Sequence, residues 1–73
     1  MQKLTMKVLR EKRNLSQRQI AQKLRITDQT VSNWETGATH PRLTPKQTLE
    51  LCQLLQISLE RLVEVLEEQS INN

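Results

Sequence analysis

The 73-residue sequence is poor in the residues that build aromatic cores and tight turns. It contains no Tyr or Phe, one Trp, one Gly and two Pro. A core of this composition must be mainly aliphatic, and the scarcity of turn-forming residues argues against a β-rich fold. The sequence therefore predicts a single small all-α domain over residues 1–73, with one modest core.

Cysteine and long apolar runs are also scarce. One Cys excludes an internal disulfide and supplies no zinc-ligand spacing, so we expect no metal, no cofactor and a reducing, cytoplasmic setting. Apolar runs of at most two residues predict no membrane-spanning segment, and the N-terminal MQKLTMKVLR lacks the apolar block of a signal peptide. No catalytic triad, carboxylate pair or glycine-rich phosphate loop is recognisable, so we expect no catalytic residues and no enzyme.

The charge is divided between the two parts of the chain. Residues 1–46 contain ten Lys or Arg and three acids, a net charge of +7, whereas residues 47–73 contain one Arg and five Glu, a net charge of −4. A basic N-terminal part and an acidic C-terminal part indicate that one face of the protein binds a polyanion. Chance clustering of charges on a solvated surface is the alternative interpretation.

Apolar periodicity and capping residues predict five short helices. The expected positions are about residues 2–13, Ser16 to Leu24, the residues between Thr27 and Gly37, those after Thr44 and those after Ser58. Asn14 is expected to be left-handed at the end of helix 1, and a tail at about residues 69–73 is expected to fray.

The last two helices contain more apolar residues than one core needs. An i, i+3, i+4, i+7 pattern in helix 5 predicts an inward face of Leu59, Leu62, Val63 and Leu66. The apolar residues that fall off the predicted inward faces are Leu49, Leu54, Val65 and Ile71. They are either scattered surface hydrophobes or a face for self-association.

Helix 3 is unusual because poor helix formers occupy its interior. In TDQTVSNWETG, residues 27–37, the inward positions are Val31 and Trp34, and the outward ones are Asp28, Gln29, Ser32, Asn33 and Thr36. A helix selected only for solubility would carry Glu–Lys pairs there. Amides and hydroxyls are instead the groups that contact base edges in the DNA major groove, with Gln and Asn pairing to adenine.

The segment LSQRQIAQKLRITDQTVSNWETG, residues 15–37, resembles the helix-turn-helix of Cro and the phage repressors. The resemblance extends upstream to Leu9-Arg10 and downstream to LLQISLERLV, residues 54–63. It implies a lambda-repressor-like fold of five helices, with the helix-turn-helix, about residues 16–37, formed by helices 2 and 3. It also implies a transcriptional regulator that binds double-stranded DNA sequence-specifically, usually as a homodimer joined through helices 4 and 5.

The resemblance carries over to individual residues. The base-reading positions are occupied by Asp28, Gln29, Ser32 and Asn33. Contacts with DNA phosphates are implied for Gln17 and Arg42, and further phosphate candidates are Arg18, Thr27, Thr36 and His40. Arg10 and Glu35 match a pair that forms a partly buried salt bridge between helices 1 and 3. Arg25 and Gln56 depart from the family pattern, since Gly is frequent at both positions.

Several residues have a second interpretation. Asp28 either accepts from cytosine N4 or stabilises the helix through its dipole, and Ser32 either contacts a base or only permits close approach. Trp34 is expected in the core rather than as a platform for base stacking. Proteins that bind single-stranded nucleic acids or RNA usually have several aromatic side chains for stacking, and this chain has one. Cys52 is expected to be a small buried hydrophobe, with redox sensing as the alternative. The same fold also serves in antitoxins and protein-binding adapters, so a toxin or another protein is the alternative partner.

Overall fold

The computed structural model describes the backbone of residues 4–71 and the side chains of residues 4–68. It contains α1 (Met6–Lys12), α2 (Gln17–Leu24), α3 (Asp28–Thr36), α4 (Pro45–Leu55) and α5 (Leu59–Ile71). No strand occurs between residues 4 and 71, and the predicted all-α architecture of five helices is confirmed. α2 packs against α3 and α4, while α1 packs against α3 and α5 against α4.

Short hydroxyl side chains cap the first four helices. The capping residues, each accepting from the backbone N–H three positions further on, are Thr5, Ser16, Thr27 and Thr44. In α2 and α4 a Gln three residues after the cap bonds back to the cap N–H and completes a capping box. The caps of α2, α3 and α4 are recognisable in the sequence, and the predicted starts of these helices are confirmed. The predicted start of α5 after Ser58 is also confirmed, and Ser58 Oγ accepts from Arg61 N at 3.1 Å.

The predicted extent of α1 is too long. The helix begins at Met6 because the Thr5 side chain accepts from Val8 N at 3.2 Å and takes the N-terminal cap. It ends at Lys12, and Arg13 belongs to the following turn. Residues 2 and 3 of the predicted helix lie outside the described residues.

Left-handed backbone follows four of the helices. The residues with positive φ are Asn14 (56°), Arg25 (62°), Gly37 (81°) and Gln56 (55°). Only glycine adopts this conformation without a steric cost from Cβ. Asn14 is left-handed as predicted. Arg25 and Gln56 are also left-handed, although this backbone conformation favours glycine.

Buried side chains from all five helices form one core. Its members are Met6, Leu9, Ile20, Ala21, Leu24, Val31, Trp34, Leu51, Cys52, Leu55, Leu62 and Val65. Val31 and Trp34 point inward from α3 as predicted. Cys52 is 9% exposed, and burial raises the pKa of its thiol, so it occupies the place of a small hydrophobe.

The predicted inward face of α5 is partly wrong. Leu62 and Val65 are buried and Leu66 is half-buried, whereas Leu59 is 54% and Val63 44% exposed. Both sets of residues satisfy helical spacing, so periodicity alone does not say which of them faces the core. The corner before α5 is filled by another apolar side chain, Ile57, which packs against the core.

The apolar residues that fall off the predicted inward faces occupy different environments in the structure. Val65 is a core residue and Leu54 packs against the core, so neither forms a free self-association face. Leu49 is 58% exposed. The side chain of Ile71 lies outside the described residues. The fraying predicted for residues 69–73 stays a prediction, since the backbone is helical to Ile71 and residues 72–73 are outside the described part.

No helix between residues 4 and 71 is long and apolar enough to cross a bilayer.

Candidate nucleic-acid interface

α3 carries a polar face outward, which we call the recognition face. Its residues are Asp28, Gln29, Ser32, Asn33 and Thr36. Asp28, Gln29 and Thr36 are exposed, and Ser32 and Asn33 are half-buried. Because Val31 and Trp34 fix the opposite side of α3 in the core, the predicted base-reading side chains share one side of a firmly packed helix.

Two amides of the recognition face bind each other. Gln29 Nε2 donates to Asn33 Oδ1 at 3.0 Å, across one helical turn. At the end of the same face, Thr36 Oγ1 donates to the backbone carbonyl of Asn33 at 3.3 Å. The recognition face is therefore partly organised before any ligand arrives.

A groove lies where the N-terminal ends of α2 and α3 meet, and we call it the α2–α3 groove. It is lined by Gln17, Thr27, Asp28, Gln29 and Ser32. The fold thus brings two of the predicted phosphate-contacting residues beside three of the predicted base-reading residues. The N-terminal ends of helices present unpaired backbone N–H groups, which favour anions.

A second groove, the loop groove, lies between α3, the segment 38–43 and α4. Its lining includes Asn33, Thr39, His40 and Arg42. His40 and Arg42 are exposed, so the fold places two more phosphate candidates near the recognition face. Arg18 is exposed in the first turn of α2, outside the lining of both grooves.

The salt bridge predicted between Arg10 and Glu35 is present. Arg10 Nε donates to Glu35 Oε2 at 2.7 Å and a second guanidinium nitrogen donates to Oε1 at 3.1 Å, with side chains only 11% and 3% exposed. Arg10 also donates to the carbonyl of Leu15 at 2.8 Å. The hydrogen bond to Glu35 raises the pKa of Arg10 and outweighs the opposite effect of burial. This pair joins α1 to α3.

Glu35 has a further partner that the sequence did not indicate. Gln17 Nε2 donates to Glu35 Oε1 at 3.0 Å, so the amide predicted to contact phosphate is bound to the salt bridge. The second hydrogen of that amide group and the Gln17 carbonyl remain for a ligand. The two residues are 18 positions apart and on different helices, so no local spacing signals the contact.

The Thr27 hydroxyl is also engaged. It accepts from Thr30 N at 3.1 Å and shares a hydrogen bond with Thr30 Oγ1 at 2.9 Å. The Thr27 hydroxyl caps α3, so a phosphate that contacts it would bind a group that already has hydrogen-bond partners. Thr30 itself lines the loop groove and is not among the predicted site residues. Its position in the first turn of α3 is the only signal in the sequence.

An apolar groove of about 580 Å³ lies between α4 and α5, and we call it the α4–α5 groove. Its apolar lining is Pro45, Leu49, Cys52, Ile57 and Leu59. Leu49 and Leu59 are more than half exposed, and Val63 is exposed one turn after Leu59. Large exposed hydrophobic side chains concentrated on two adjacent helices are typical of a contact surface.

No group of three or more His, Cys, Asp or Glu side chains in the described part of the chain could hold a metal ion.

A model of the helix-turn-helix family, of the Cro/C1 type, matches residues 6–62. The matched span contains α1 to α4 and the start of α5, and it includes the recognition face and the α2–α3 groove. No curated protein and no solved structure matches the chain.

Proposed function

Because the chain belongs to the Cro/C1-type helix-turn-helix family of DNA-binding regulators, we propose that it regulates transcription by reading the sequence of an operator with α3. The observation that carries this proposal is the composition of the recognition face. It presents two amides and two hydroxyls but only one charged side chain, Asp28. Amides and hydroxyls donate and accept hydrogen bonds at base edges in the major groove, and Gln and Asn pair with adenine there.

The two polar grooves support a matching set of backbone contacts. The α2–α3 groove would receive one phosphate at Gln17 and the helix N-termini, and the loop groove another at His40 and Arg42. Contacts of this kind set the orientation of α3 in the major groove without reading sequence. The net charge of +7 over residues 1–46 favours the same approach.

Selection of bound duplexes from a random pool, followed by footprinting, tests the proposal. The selected site then serves to compare Gln29→Ala with Gln22→Ala, an exposed Gln on α2 outside both grooves. Gln29→Ala should weaken binding to the selected site by about 1–3 kcal/mol and relax its specificity, while Gln22→Ala should change neither. Equal affinity of wild type and Gln29→Ala for every sequence would contradict base reading by α3.

The α4–α5 groove supports a second part of the proposal, a homodimer. Three large hydrophobic side chains, Leu49, Leu59 and Val63, are 58%, 54% and 44% exposed, and all lie on α4 or α5. The groove beside them is mainly apolar and large enough to accept side chains from a second copy. A two-fold dimer would place two α3 helices about 34 Å apart, one turn of DNA. Bound at a promoter, such a dimer would regulate transcription either by excluding polymerase or by contacting it.

Sedimentation and footprint length test the dimer. Leu59→Glu places a charge at the α4–α5 groove and should shift the protein towards monomer, whereas Gln22→Glu adds the same charge on α2 and should not. The wild-type footprint should cover two half-sites about one helical turn apart. A monomeric wild type with a single half-site would overturn the dimer. If a stoichiometric toxin-like protein bound this groove instead, the antitoxin alternative would replace it.

A further inference from the structure

The hydrogen bond between Gln29 and Asn33 decides which groups Gln29 can offer to a ligand. Gln29 Nε2 uses one of its two hydrogens to donate to Asn33 Oδ1 at 3.0 Å. The outward side of Gln29 therefore keeps one N–H donor and the carbonyl oxygen as an acceptor. An unbound Gln amide, in contrast, can rotate to offer two donors or one donor and one acceptor.

The Gln29 amide that is bound to Asn33 and an unbound Gln amide fit different purine edges. In the major groove adenine presents the N7 acceptor beside the N6 amino donor, whereas guanine presents two acceptors, N7 and O6. The remaining N–H and carbonyl of Gln29 fit the adenine edge. Guanine would require both hydrogens of Nε2, and the bond to Asn33 already uses one of them.

We propose that Asn33 is a positioning residue that holds the Gln29 amide in the orientation that selects adenine over guanine. The inference rests on the proposed function, since it requires α3 to lie in a major groove. Asn33 is half-buried and Gln29 is exposed, so the more restrained side chain orients the freer one. Hydrogen-bonded Gln–Asn pairs at i, i+4 are favourable even on isolated helices, and exclusion of water by DNA strengthens such bonds.

The proposal has a consequence that direct base contact by Asn33 would not have. Removal of Asn33 should change the preference at the base pair that Gln29 contacts. We therefore identify that base pair first, as the position in the selected operator where Gln29→Ala relaxes discrimination. The dissociation constants for operators with adenine and with guanine at this position then give an adenine-over-guanine ratio for each variant.

Wild type should prefer adenine, and Asn33→Ala should lower the adenine-over-guanine ratio about two- to tenfold, the effect of one net hydrogen bond. Gln22→Ala is the control, because it removes an amide from the exposed surface of α2, outside both polar grooves. Its ratio should equal that of wild type. Thermal unfolding of each variant checks that the fold is intact, and a folding defect alone would not change the ratio.

Asn33→Asp provides a rescue. Aspartate keeps an oxygen that accepts from Gln29 Nε2, so the ratio should return towards wild type while overall affinity falls through repulsion from the phosphates. Failure of Asn33→Asp to restore the ratio would overturn the acceptor role of Asn33.

The other outcomes separate this inference from the proposed function. Specific binding in which Asn33→Ala leaves the ratio unchanged, or in which wild type prefers guanine, would overturn the inference alone. A Gln29→Ala variant that relaxes no position would overturn base reading by α3 and the inference with it. Binding without any sequence preference would overturn the proposed function and the inference with it.

Discussion

The backbone of Arg25 is left-handed, a conformation that is sterically unfavourable for a residue with a Cβ atom. It ends α2 with φ at 62° and ψ at 45°, and the turn of the helix-turn-helix depends on this geometry. A residue with a Cβ loses about 1 kcal/mol in the left-handed region relative to glycine. The N–H of Ile26 bonds to the Ala21 carbonyl at 2.9 Å, and this bond helps to hold the turn in place.

We expect Arg25→Gly to raise the free energy of unfolding by about 0.5–1 kcal/mol, because glycine removes the Cβ clash. For a domain of this size the melting temperature should rise by roughly 2–8 °C. Arg25→Ala is the control, since alanine keeps Cβ and removes only the exposed side chain. An equal gain in both variants, measured by thermal unfolding, would assign the effect to the side chain rather than to the backbone.

Glu35, in contrast to Arg25, is a residue whose replacement should destabilise the protein. Its carboxylate accepts from Arg10 twice and from Gln17 once, and it is 3% exposed. Glu35→Ala would leave the largely buried guanidinium of Arg10 without its two hydrogen bonds to a carboxylate, which should reduce the free energy of unfolding by about 3 kcal/mol.

Urea unfolding measures this loss, and a double variant supplies the control. Replacing both partners, Arg10→Met with Glu35→Leu, removes the charge together with its counter-charge and should cost less than Glu35→Ala alone. A Glu35→Ala protein with unchanged stability would show that the pair behaves as a solvated surface contact.

At the scale of elements, Gln47 links two helices. Its Oε1 accepts from Thr44 N at 3.0 Å in the capping box of α4, and its Nε2 donates to the Leu24 carbonyl at the end of α2 at 2.9 Å. Gln19 holds the same capping-box position in α2, with Oε1 accepting from Ser16 N at 2.7 Å. The two glutamines thus differ by one bond between helices.

This difference predicts unequal effects of the same substitution. Gln47→Ala and Gln19→Ala lose the same type of local bond and gain the same helix propensity, so these contributions cancel in the comparison. Gln47→Ala should cost about 1 kcal/mol more, because it also removes the bond between α2 and α4. Chemical denaturation of the two variants measures the difference, and equal losses would mean that the Gln47–Leu24 bond adds nothing to stability.

The helices also show how far the sequence determines the fold. The starts of α2, α3 and α4 could be predicted because Ser16, Thr27 and Thr44 cap them by local hydrogen bonds. α1 was predicted too long because its cap, Thr5, lies within an otherwise helical pattern. The face of α5 could not be predicted reliably, because apolar residues surround much of that helix and packing against α4 selects among them.

The same reasoning applies to the candidate site. The recognition face follows from the spacing of α3 alone, and the Gln29–Asn33 bond is compatible with an i, i+4 spacing visible in the sequence. The bond from Gln17 to Glu35 is different, since it depends on how α2 crosses α3 in space. Contacts within one helix can thus be predicted from spacing. Contacts between helices require either the assembled fold or, as for Arg10 and Glu35, a resemblance to a known family.

For the whole molecule, the division of charge should govern how binding responds to salt. The net charge is +7 over residues 1–46 and −4 over residues 47–73, and Arg61 is the one basic residue of the acidic part. Arg42 lines the loop groove beside the recognition face, and Arg61 lies on α5. In the proposed complex Arg42 neutralises a phosphate, whereas Arg61 does not.

Arg42→Gln should therefore reduce the slope of log affinity against log salt concentration by about 0.9, the value for one phosphate contact on duplex DNA. Arg61→Gln removes the same charge from the acidic part and should leave the slope unchanged. Fluorescence anisotropy of labelled duplex over a salt series measures both. Equal reductions would mean that affinity follows total charge rather than a positioned contact.

Trp34, the sole aromatic residue, gives the molecule a built-in optical signal. The indole is 3% exposed and sits on the inner side of α3. Its fluorescence reports on the interior of the helix-turn-helix and is shielded from stacking with bases. Its emission should shift to longer wavelength when the core opens. One chromophore thus reports loss of structure without an added label.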